Sequence, residues 1–159
     1  MTTPVYLVRH AKAGDRTRWT DPDHLRPLTK PGRRQADALD ALFADQPFSR
    51  LLTSPYVRCV ETLYPLAEAR GLPLETAGEL AEGAPIAGAV ALMLAVAADG
   101  PAALCTHGDV MWEAVDHVRS AGVTFEEPLE FKKSATWIFE VDAGAFIGAR
   151  YVPPPGKDA

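Results

Sequence analysis

The residues of this chain best suited to chemistry are histidines and arginines that follow short apolar runs. Arg9 and His10 come directly after the apolar residues 5–8. A short run of β-branched and aromatic residues predicts a buried strand. In an open α/β sheet, ligands bind just beyond the carboxyl ends of the strands. A cation and an imidazole at that edge favour an anionic substrate.

A second histidine follows a second apolar run. His107 and Gly108 come after residues 101–106, which also have the pattern of a buried strand. If both strands are central and parallel, His10 and His107 reach the same edge of the sheet. The sequence therefore predicts a pair of imidazoles around one ligand.

A second arginine is expected at the same edge. Residues 49–53 predict another strand, and Ser54 with Pro55 predicts the start of a helix, with Ser54 as its N-cap. Arg58 then lies in the first helical turn, where backbone amides themselves attract anions. Two histidines and two arginines thus converge if the strands are parallel.

The elements that position these residues alternate between strand and helix along the chain. We expect helices from Thr29 to before Pro47, from Ser54 to Gly71, over 84–98, and from after His107 to Gly122. We also expect a brief strand at 72–75 and a hairpin of 134–141 with 145–152, turning at 142–144. This order predicts an α/β fold: a three-layer α/β/α sandwich with a mostly parallel central sheet and helices on both faces. With 159 residues, one domain is expected over 1–152, followed by a Pro-rich tail at 153–159.

Charge is distributed unevenly in the sequence. The formal net charge is −5, which disfavours binding of a nucleic acid polymer by charge alone. Basic residues are nevertheless concentrated around the predicted site, which suits a small anion: Lys12, Arg16, Arg18, Arg26, Lys30, Arg33 and Arg34.

Residues 13–27 form a polar segment without hydrophobic periodicity. The segment is interpreted as either a loop that covers substrate or an ordinary surface loop.

Cysteine content and hydropathy indicate the compartment. Cys59 and Cys105 are too few for a disulfide scaffold. The first residues lack the basic and apolar regions of a signal peptide. The most apolar long stretch, 84–98, is too short to span a bilayer. We therefore expect a cytoplasmic protein with no membrane partner.

Four short motifs occur in order between Val5 and Gly108. They are Arg9-His10-Ala11, Leu28-Thr29-x-x-Gly32-x-x-Gln35-Ala36, Ser54-Pro55-x-x-Arg58-Cys59-x-x-Thr62 and Thr106-His107-Gly108. In this order and spacing they resemble the histidine phosphatase superfamily, which has a phosphoglycerate mutase-like fold. The short chain and the Arg-His-Ala-Lys start are most similar to the SixA-like phosphohistidine phosphatase branch. The segment from Arg9 to Leu28 also resembles the phosphatase half of certain MutT-type Nudix fusion proteins.

The resemblance implies a role for each member of the cluster. His10 is the expected nucleophile, because a neutral ring nitrogen can attack phosphorus and form a phosphohistidine. Arg9 and Arg58 are expected to clamp the phosphoryl oxygens with the paired donors of a guanidinium. His107 is expected to donate to an oxygen as charge spreads during transfer. The hydroxyl of Ser54 or of Thr106 is a candidate to orient a histidine ring.

The proton for the leaving group is expected from a carboxyl group in the loop before the third helix. Glu82 matches the family pattern of a Glu after a Leu, and Glu79 is the second choice. The SixA-like branch is often reduced in this region, and an imidazole leaving group needs little acid help. Glu82 is therefore either the general acid or only a loop carboxylate. The expected substrate-binding residues are Lys12, Arg16, Arg18, Trp19 and Gly108.

Two other chemistries deserve comparison with this one. His10, Cys105, His107 and Glu82 could be imagined as metal ligands, but zinc sites usually have tighter local pairs, and the arginines would repel a cation. Cys59 could act as a thiol nucleophile, but it lacks an arginine-rich loop and is assigned to the core. The Lys132-Lys133 pair is interpreted as a solvated turn. No metal and no cofactor are expected.

The sequence therefore predicts a metal-independent phosphatase that works through a covalent phosphohistidine on His10. The preferred substrate is phosphohistidine on a protein, because so short a chain has no room for insertions that would enclose a metabolite. The first alternative is a phosphatase of a small phosphorylated metabolite or nucleotide. The second is a phosphate-binding module without catalysis.

Overall fold

A computed structural model describes residues 1–125 and 128–156 as a six-stranded sheet with helices on both faces. The last three residues of the expected tail, 157–159, lie outside the described residues. The strands are β1 (Thr3–Arg9), β2 (Arg50–Thr53), β3 (Leu74–Thr76), β4 (Ala102–Thr106), β5 (Thr136–Asp142) and β6 (Ala145–Val152). The α-helices are α1 (Lys30–Leu42), α2 (Val57–Arg70), α3 (Ile86–Ala97) and α4 (Gly108–Ser120).

The sheet is mostly parallel, as expected from the alternation of strands and helices. The strand order is β3-β2-β4-β1-β5-β6. The pairs β1 with β4, β2 with β4 and β2 with β3 are parallel, whereas β5 runs antiparallel to both of its neighbours. The carboxyl ends of the first four strands therefore lie at one edge. The prediction of an α/β fold is confirmed.

The two faces of the sheet carry separate cores because side chains alternate along each strand. In β1, Val5 and Leu7 pack with residues of α3 and α4, such as Met93 and Val115. Tyr6 and Val8 face the other way, into a cluster with residues of α1 and α2. Two helical layers thus enclose one sheet, which makes the expected three-layer sandwich.

The start of α1 matches its prediction, and the start of α2 does not. Thr29 caps α1, and its Oγ1 accepts a hydrogen bond from the Gly32 amide at 3.1 Å. The prediction that Ser54 caps α2 is wrong, because the helix begins at Val57. The Ser54 amide instead donates to the carbonyl of Cys105 at 2.9 Å, so this residue still belongs to the sheet edge.

The remaining boundaries differ from the sequence expectation by a few residues. The third helix begins at Ile86 rather than at residue 84, and the short strand occupies Leu74–Thr76. The hairpin of β5 and β6 turns where expected. Ala143 and Gly144 both have positive φ, at 50° and 78°, which is the geometry of a two-residue hairpin turn.

The long segment 13–27 is less irregular than its sequence suggests. It contains a short 3₁₀ turn at Asp23–Leu25, and its ends are joined by an isolated bridge between Ala13 and Leu28. Within residues 1–125 and 128–156, no helix combines the length and apolar character needed to cross a bilayer.

Candidate active site

The two central strands bring the two histidines together. In the parallel pair β1–β4, Arg9 lies opposite Thr106, so that a histidine follows at the same level on each strand. The His10 amide donates to the carbonyl of Thr106 at 3.0 Å. The imidazole centroids of His10 and His107 are 5.4 Å apart. The predicted meeting of the two rings is therefore present.

The His10 ring is held as a neutral imidazole with one defined tautomer. Its Nδ1 lies 2.8 Å from the carbonyl oxygen of Ala11, which can only accept, so Nδ1 carries the proton. The lone pair is therefore on Nε2. Burial, together with the charges of His107, Arg58 and Arg9, lowers the pKa of His10 from 6.5 to about 3. A nitrogen nucleophile is thus available throughout the neutral range.

The His107 ring is oriented by Ser54, one of the two hydroxyls proposed for this role. Ser54 Oγ lies 2.9 Å from Nε2 of His107. The hydroxyl of Thr106, by contrast, donates to the carbonyl of Leu80 at 2.6 Å. The other ring nitrogen, Nδ1 of His107, is buried without a hydrogen-bond partner in the described part of the chain.

Arg9 lies between the segment before β5 and the start of α4. Its Nη1 donates to the carbonyl of Phe131 at 2.6 Å. A Cβ atom at Gly108 would lie 2.9 Å from the guanidinium carbon, so a larger residue there would displace the Arg9 guanidinium. Burial lowers the pKa of Arg9, against the nearby charges of Asp109 and Glu82. Its Nε has no partner among the described residues.

Arg58 is fully buried in the first turn of α2, as predicted, but acidic groups already contact it. Its Nη2 lies 3.0 Å from Oδ2 of Asp23 and 3.6 Å from Oε1 of Glu82. Nη1 donates to the Asp23 carbonyl at 3.0 Å, and the guanidinium lies over the Tyr56 ring at 4.8 Å. Its Nε has no partner in residues 1–125 and 128–156.

Several motif residues fix the backbone that follows His10 and do no chemistry themselves. Thr62 Oγ1 accepts from the Ala11 amide at 2.9 Å, and Gln35 Oε1 accepts from the Lys12 amide at 2.9 Å. A Cβ atom at Gly32 would lie 2.0 Å from the Lys12 carbonyl oxygen, so α1 can approach this segment only with glycine there. The motif spacing thus encodes a rigid support for the segment that follows His10.

His10 opens onto a cavity of about 650 Å³. Of the residues predicted to form the site, Arg9, His10, Arg16, Glu82 and Gly108 line its wall. His107 and Arg58 lie immediately behind the wall, at 1% and 0% exposure. Three predicted substrate-binding residues lie outside the wall: Lys12, Arg18 and Trp19.

The two candidate general acids are in different places. Glu82 lines the cavity, and its Oε1 lies 3.0 Å from Nη2 of Arg16. Glu79 does not line it; its side chain lies near Gly88 of α3, 3.5 Å from the position that a Cβ atom there would occupy. Of these two candidates, only Glu82 lines the cavity into which His10 opens.

The sequence did not predict that Asp23, in the loop 13–27, contacts three arginines of the site. Asp23 receives hydrogen bonds from both Arg58 and Arg26, and its Oδ1 lies 3.7 Å from Nε of Arg16. Burial opposes its ionisation, but the bonds from Arg26 and Arg58 hold the pKa of Asp23 below its ordinary value. A lone Asp in a segment without periodicity gives no signal of this role.

The lysine pair and the two alternative chemistries can also be compared with the structure. Lys132 and Lys133 are both exposed and Lys133 lies in a turn, as the sequence predicts, and Lys133 also lines the cavity. Burial alone would raise the pKa of Cys59, but its interactions with Cys105 and His107 lower it below its ordinary value. Cys59 is fully buried behind His107 and cannot reach a substrate. The described residues contain no group of three or more His, Cys, Asp or Glu side chains arranged to hold a metal ion.

Comparison with known proteins gives a family match and similarity to curated proteins. The profile of the histidine phosphatase superfamily (branch 1) matches residues 5–85. An 8-oxo-(d)GTP phosphatase from Mycolicibacterium smegmatis is 32% identical over 160 residues, which cover 98% of this chain and 50% of that protein. The chain thus spans about half the length of this curated relative.

Solved structures share the fold at lower sequence identity. The protein histidine phosphatase SixA complexed with tungstate is 22% identical, with a TM-score of 0.76 over 92% of this chain and 95% of that one. A SixA-type phosphohistidine phosphatase structure from Agrobacterium tumefaciens is 24% identical, with a TM-score of 0.71 over 96% and 98% of the two chains.

Proposed function

The chain belongs to branch 1 of the histidine phosphatase superfamily, and we propose that it is a phosphatase that transfers a phosphoryl group to Nε2 of His10. The observation that carries this proposal is a set of buried nitrogen atoms around His10 without partners in the described residues. They are Nε of Arg9, Nε of Arg58 and Nδ1 of His107. Buried polar groups are normally hydrogen-bonded, so three such nitrogens beside one nucleophile favour a bound oxyanion.

In the first proposed step, Nε2 of His10 attacks phosphorus, and the bond from phosphorus to the leaving group breaks. The electron pair of that bond leaves with the leaving group, which takes a proton from the Glu82 carboxyl. Arg9, Arg58 and His107 stabilise the charge on the phosphoryl oxygens. Nδ1–H of His10 keeps its bond to the Ala11 carbonyl, which supports the developing positive charge on the ring.

In the second step, water attacks the phosphohistidine and gives a proton to the Glu82 carboxylate. The P–N bond breaks, inorganic phosphate leaves, and His10 recovers its lone pair. The same carboxyl group thus serves as acid and then as base. For this exchange, Glu82 must carry a proton when substrate binds. A good leaving group removes this requirement.

Two substrate classes fit the proposed chemistry, and a phosphorylated nucleotide is the better supported. The relative that is 32% identical across almost the whole chain is an 8-oxo-(d)GTP phosphatase. The cavity, at about 650 Å³, is also within the range of small-molecule sites. The class that the sequence favoured, protein phosphohistidine, keeps the support of a short chain. The likeness to SixA structures concerns the fold.

The proposed function is tested by trapping the phosphoenzyme. The protein is incubated with a labelled aryl phosphate, with and without a chelator, and quenched in acid or in base. We expect a label that is lost in acid, stable in base, absent from His10→Ala and unaffected by chelator. Binding without turnover would identify a silent phosphate-binding module instead, and loss of activity with chelator would identify a metal-dependent reaction.

A substrate panel then separates the two classes. ADP, GDP and a histidine-phosphorylated peptide are compared by kcat/KM for release of inorganic phosphate. We expect the nucleotides to be the better substrates. A larger kcat/KM for the peptide would instead restore the prediction made from the sequence.

A further inference from the structure

Trp112 differs from the other tryptophans of the chain, because its contacts do not explain a structural role. Trp137 is fully buried, and its Nε1 donates to the carbonyl of Glu130 at 2.9 Å. Trp19 donates to the carbonyl of Pro22 at 3.0 Å. Trp112 is 52% exposed, and among the described residues its indole makes no ring contact and donates no hydrogen bond.

The position of Trp112 in α4 directs it to the cavity. Residues four apart lie on the same face of a helix, so Trp112 follows Gly108, the residue packed against Arg9. Both Gly108 and Trp112 line the cavity into which His10 opens. An indole at this position offers a flat apolar face beside a site for an anion.

The cations of the cavity wall are not all neutralised. Arg16 and Arg26 pair with carboxylates, at 3.0 Å from Glu82 and 3.1 Å from Asp23. Arg9 and Lys133 have no carboxylate within ion-pair distance in residues 1–125 and 128–156. Burial lowers the pKa of Lys133, and the charges of nearby arginines and of Lys12 act in the same direction.

A substrate with a single phosphoryl group would leave part of this wall unused. Arg9 lies next to the nucleophile and serves the reacting phosphoryl group. Lys133 comes from the segment before β5 and is available to a second anionic group of the same ligand. Trp112 is available to a planar ring, because aromatic faces stack on any nucleobase.

We propose that Trp112 and Lys133 form a second recognition subsite, which binds the base and the inner phosphoryl group of a nucleoside diphosphate while its outer phosphoryl group reacts at His10. This inference rests on the proposed function, because it takes His10 as the point of reaction. It adds a substrate class with two linked phosphoryl groups and a planar ring. The ring is assigned to Trp112, the inner phosphoryl group to Lys133 and the outer phosphoryl group to His10.

The test compares substrates that differ by one feature. ADP and GDP carry both a ring and a diphosphate, pyrophosphate lacks the ring, and AMP lacks the second phosphoryl group. We expect Trp112→Ala to raise KM for ADP and GDP about tenfold and to leave KM for pyrophosphate unchanged. Trp112→Phe keeps an aromatic face and should restore most of the affinity. We expect Lys133→Gln to raise KM for ADP several-fold more than KM for AMP.

The chain offers matched controls for both substitutions. Tyr64→Ala removes another exposed aromatic side chain, on α2 and outside this cavity. Lys132→Gln removes the neighbouring lysine, whose Nζ lies 3.8 Å from Glu130. Neither should change KM for any of the four substrates. Binding of ADP to His10→Ala, with and without Trp112→Ala, measures the affinity difference without turnover.

The outcomes separate failure of the subsite from failure of the proposed function. If Trp112→Ala changes KM for ADP and pyrophosphate equally, or changes neither, the subsite is overturned while the phosphatase proposal stands. If Lys133→Gln affects AMP and ADP alike, the assignment of the inner phosphoryl group is overturned. If His10→Ala still hydrolyses all four compounds, the proposed function fails, and the inference that rests on it fails as well.

Discussion

The candidate site has two halves that are built in different ways. The half from the sheet edge contains His10, His107 and Arg9, and backbone hydrogen bonds between β1 and β4 fix its geometry. The half from the loops contains Arg16 and Asp23, with side chains 60% and 38% exposed, and ion pairs hold it together. Arg58, fully buried, bonds to Asp23 of the loop half, and its charge acts on His10 of the sheet-edge half.

This difference separates the parts of the site that are fixed from those that can exchange partners. Register between strands places a histidine within a narrow range, because a shift of one residue would turn every side chain of the strand to the other face. Exposed ion pairs have net energies of about 0–1 kcal/mol and are easily replaced. The sheet edge is thus suited to reaction, and the loops are suited to exchanging a carboxylate for a substrate.

The largest expected effect follows removal of the residue that joins the two halves. Arg58→Gln takes away a buried guanidinium that faces the phosphoryl group in the proposed mechanism. We expect kcat/KM for an aryl phosphate to fall by about 10²–10³-fold, the usual loss for a donor to transition-state charge. Steady-state kinetics measures the effect.

The matched control for Arg58 is an arginine of the loop half that lies outside the cavity wall. Arg18 is 88% exposed at its side chain and pairs loosely with Asp15 at 3.7 Å. We expect Arg18→Gln to change kcat/KM less than twofold. Equal losses in the two variants, with both proteins folded by circular dichroism, would contradict the division into two halves.

The next effect tests whether the loop half supplies the proton. Glu82→Gln should lower the rate of phosphoenzyme formation, measured in a single turnover, by about 100-fold for an alkyl phosphate, whose leaving group needs an acid. For p-nitrophenyl phosphate, whose leaving group needs none, the change should be small. Glu79→Gln removes the other candidate, which lies outside the cavity, and should affect neither substrate. If Glu82→Gln is equally slow with both substrates, Glu82 acts on something other than the leaving group.

A smaller effect, on the free energy of unfolding, is expected from His10 of the sheet-edge half as the pH falls. In the unfolded chain His10 takes up a proton below its ordinary pKa of 6.5, whereas in the fold it stays neutral down to about 3. The contribution of His10 to the free energy of unfolding is therefore fully present above pH 6.5 and is lost as the pH falls toward 3. We expect a loss of about 1 kcal/mol per pH unit between 6 and 5, relative to His10→Asn. Urea unfolding at both pH values measures it, and parallel pH profiles of the two proteins would contradict the low pKa.

Strand patterns and motif spacing were sufficient to predict the sheet-edge half. Apolar runs that end in Arg9-His10 and in Thr106-His107 place both rings at one edge as soon as the strands are parallel, and hydrogen bonding between the strands makes this placement independent of side-chain detail. The supporting positions Gly32, Gln35 and Thr62 were recognisable as motif members, although their contacts with the segment after His10 were not.

The loop half could not be predicted because its geometry depends on the three-dimensional pairing of charges. Segment 13–27 has many basic residues, and only their coordinates distinguish Arg16, which lines the cavity, from Arg18, which does not. The predicted start of α2 was wrong for a related reason, since it also depends on contacts made in three dimensions. Ser54 has the residue type of a helix cap, but its amide bonds to the Cys105 carbonyl at the sheet edge and its hydroxyl lies against His107, and the helix begins at Val57.

The smallest expected effect concerns the carboxylate that contacts Arg58 in this structure. Asp23 is held ionised by Arg26 and Arg58, so in the proposed mechanism it competes with the phosphoryl group for the guanidinium. Asp23→Asn keeps the size of the side chain and removes the charge. We expect inorganic phosphate, as a competitive inhibitor, to bind about two- to fivefold more tightly to this variant. The gain should shrink at high salt, because part of it comes from exposed charges.

The opposite result would change how the two halves are related. If Asp23→Asn binds phosphate more weakly, the Asp23 carboxylate orients Arg58 for the ligand instead of competing with it. Asp15→Asn is the matched control, since Asp15 also lines the cavity and pairs with Arg18, but forms no ion pair with Arg58 in the described part of the chain. If only Asp23→Asn gains affinity for phosphate, the competing group is the Asp23 carboxylate, which contacts the buried guanidinium of Arg58.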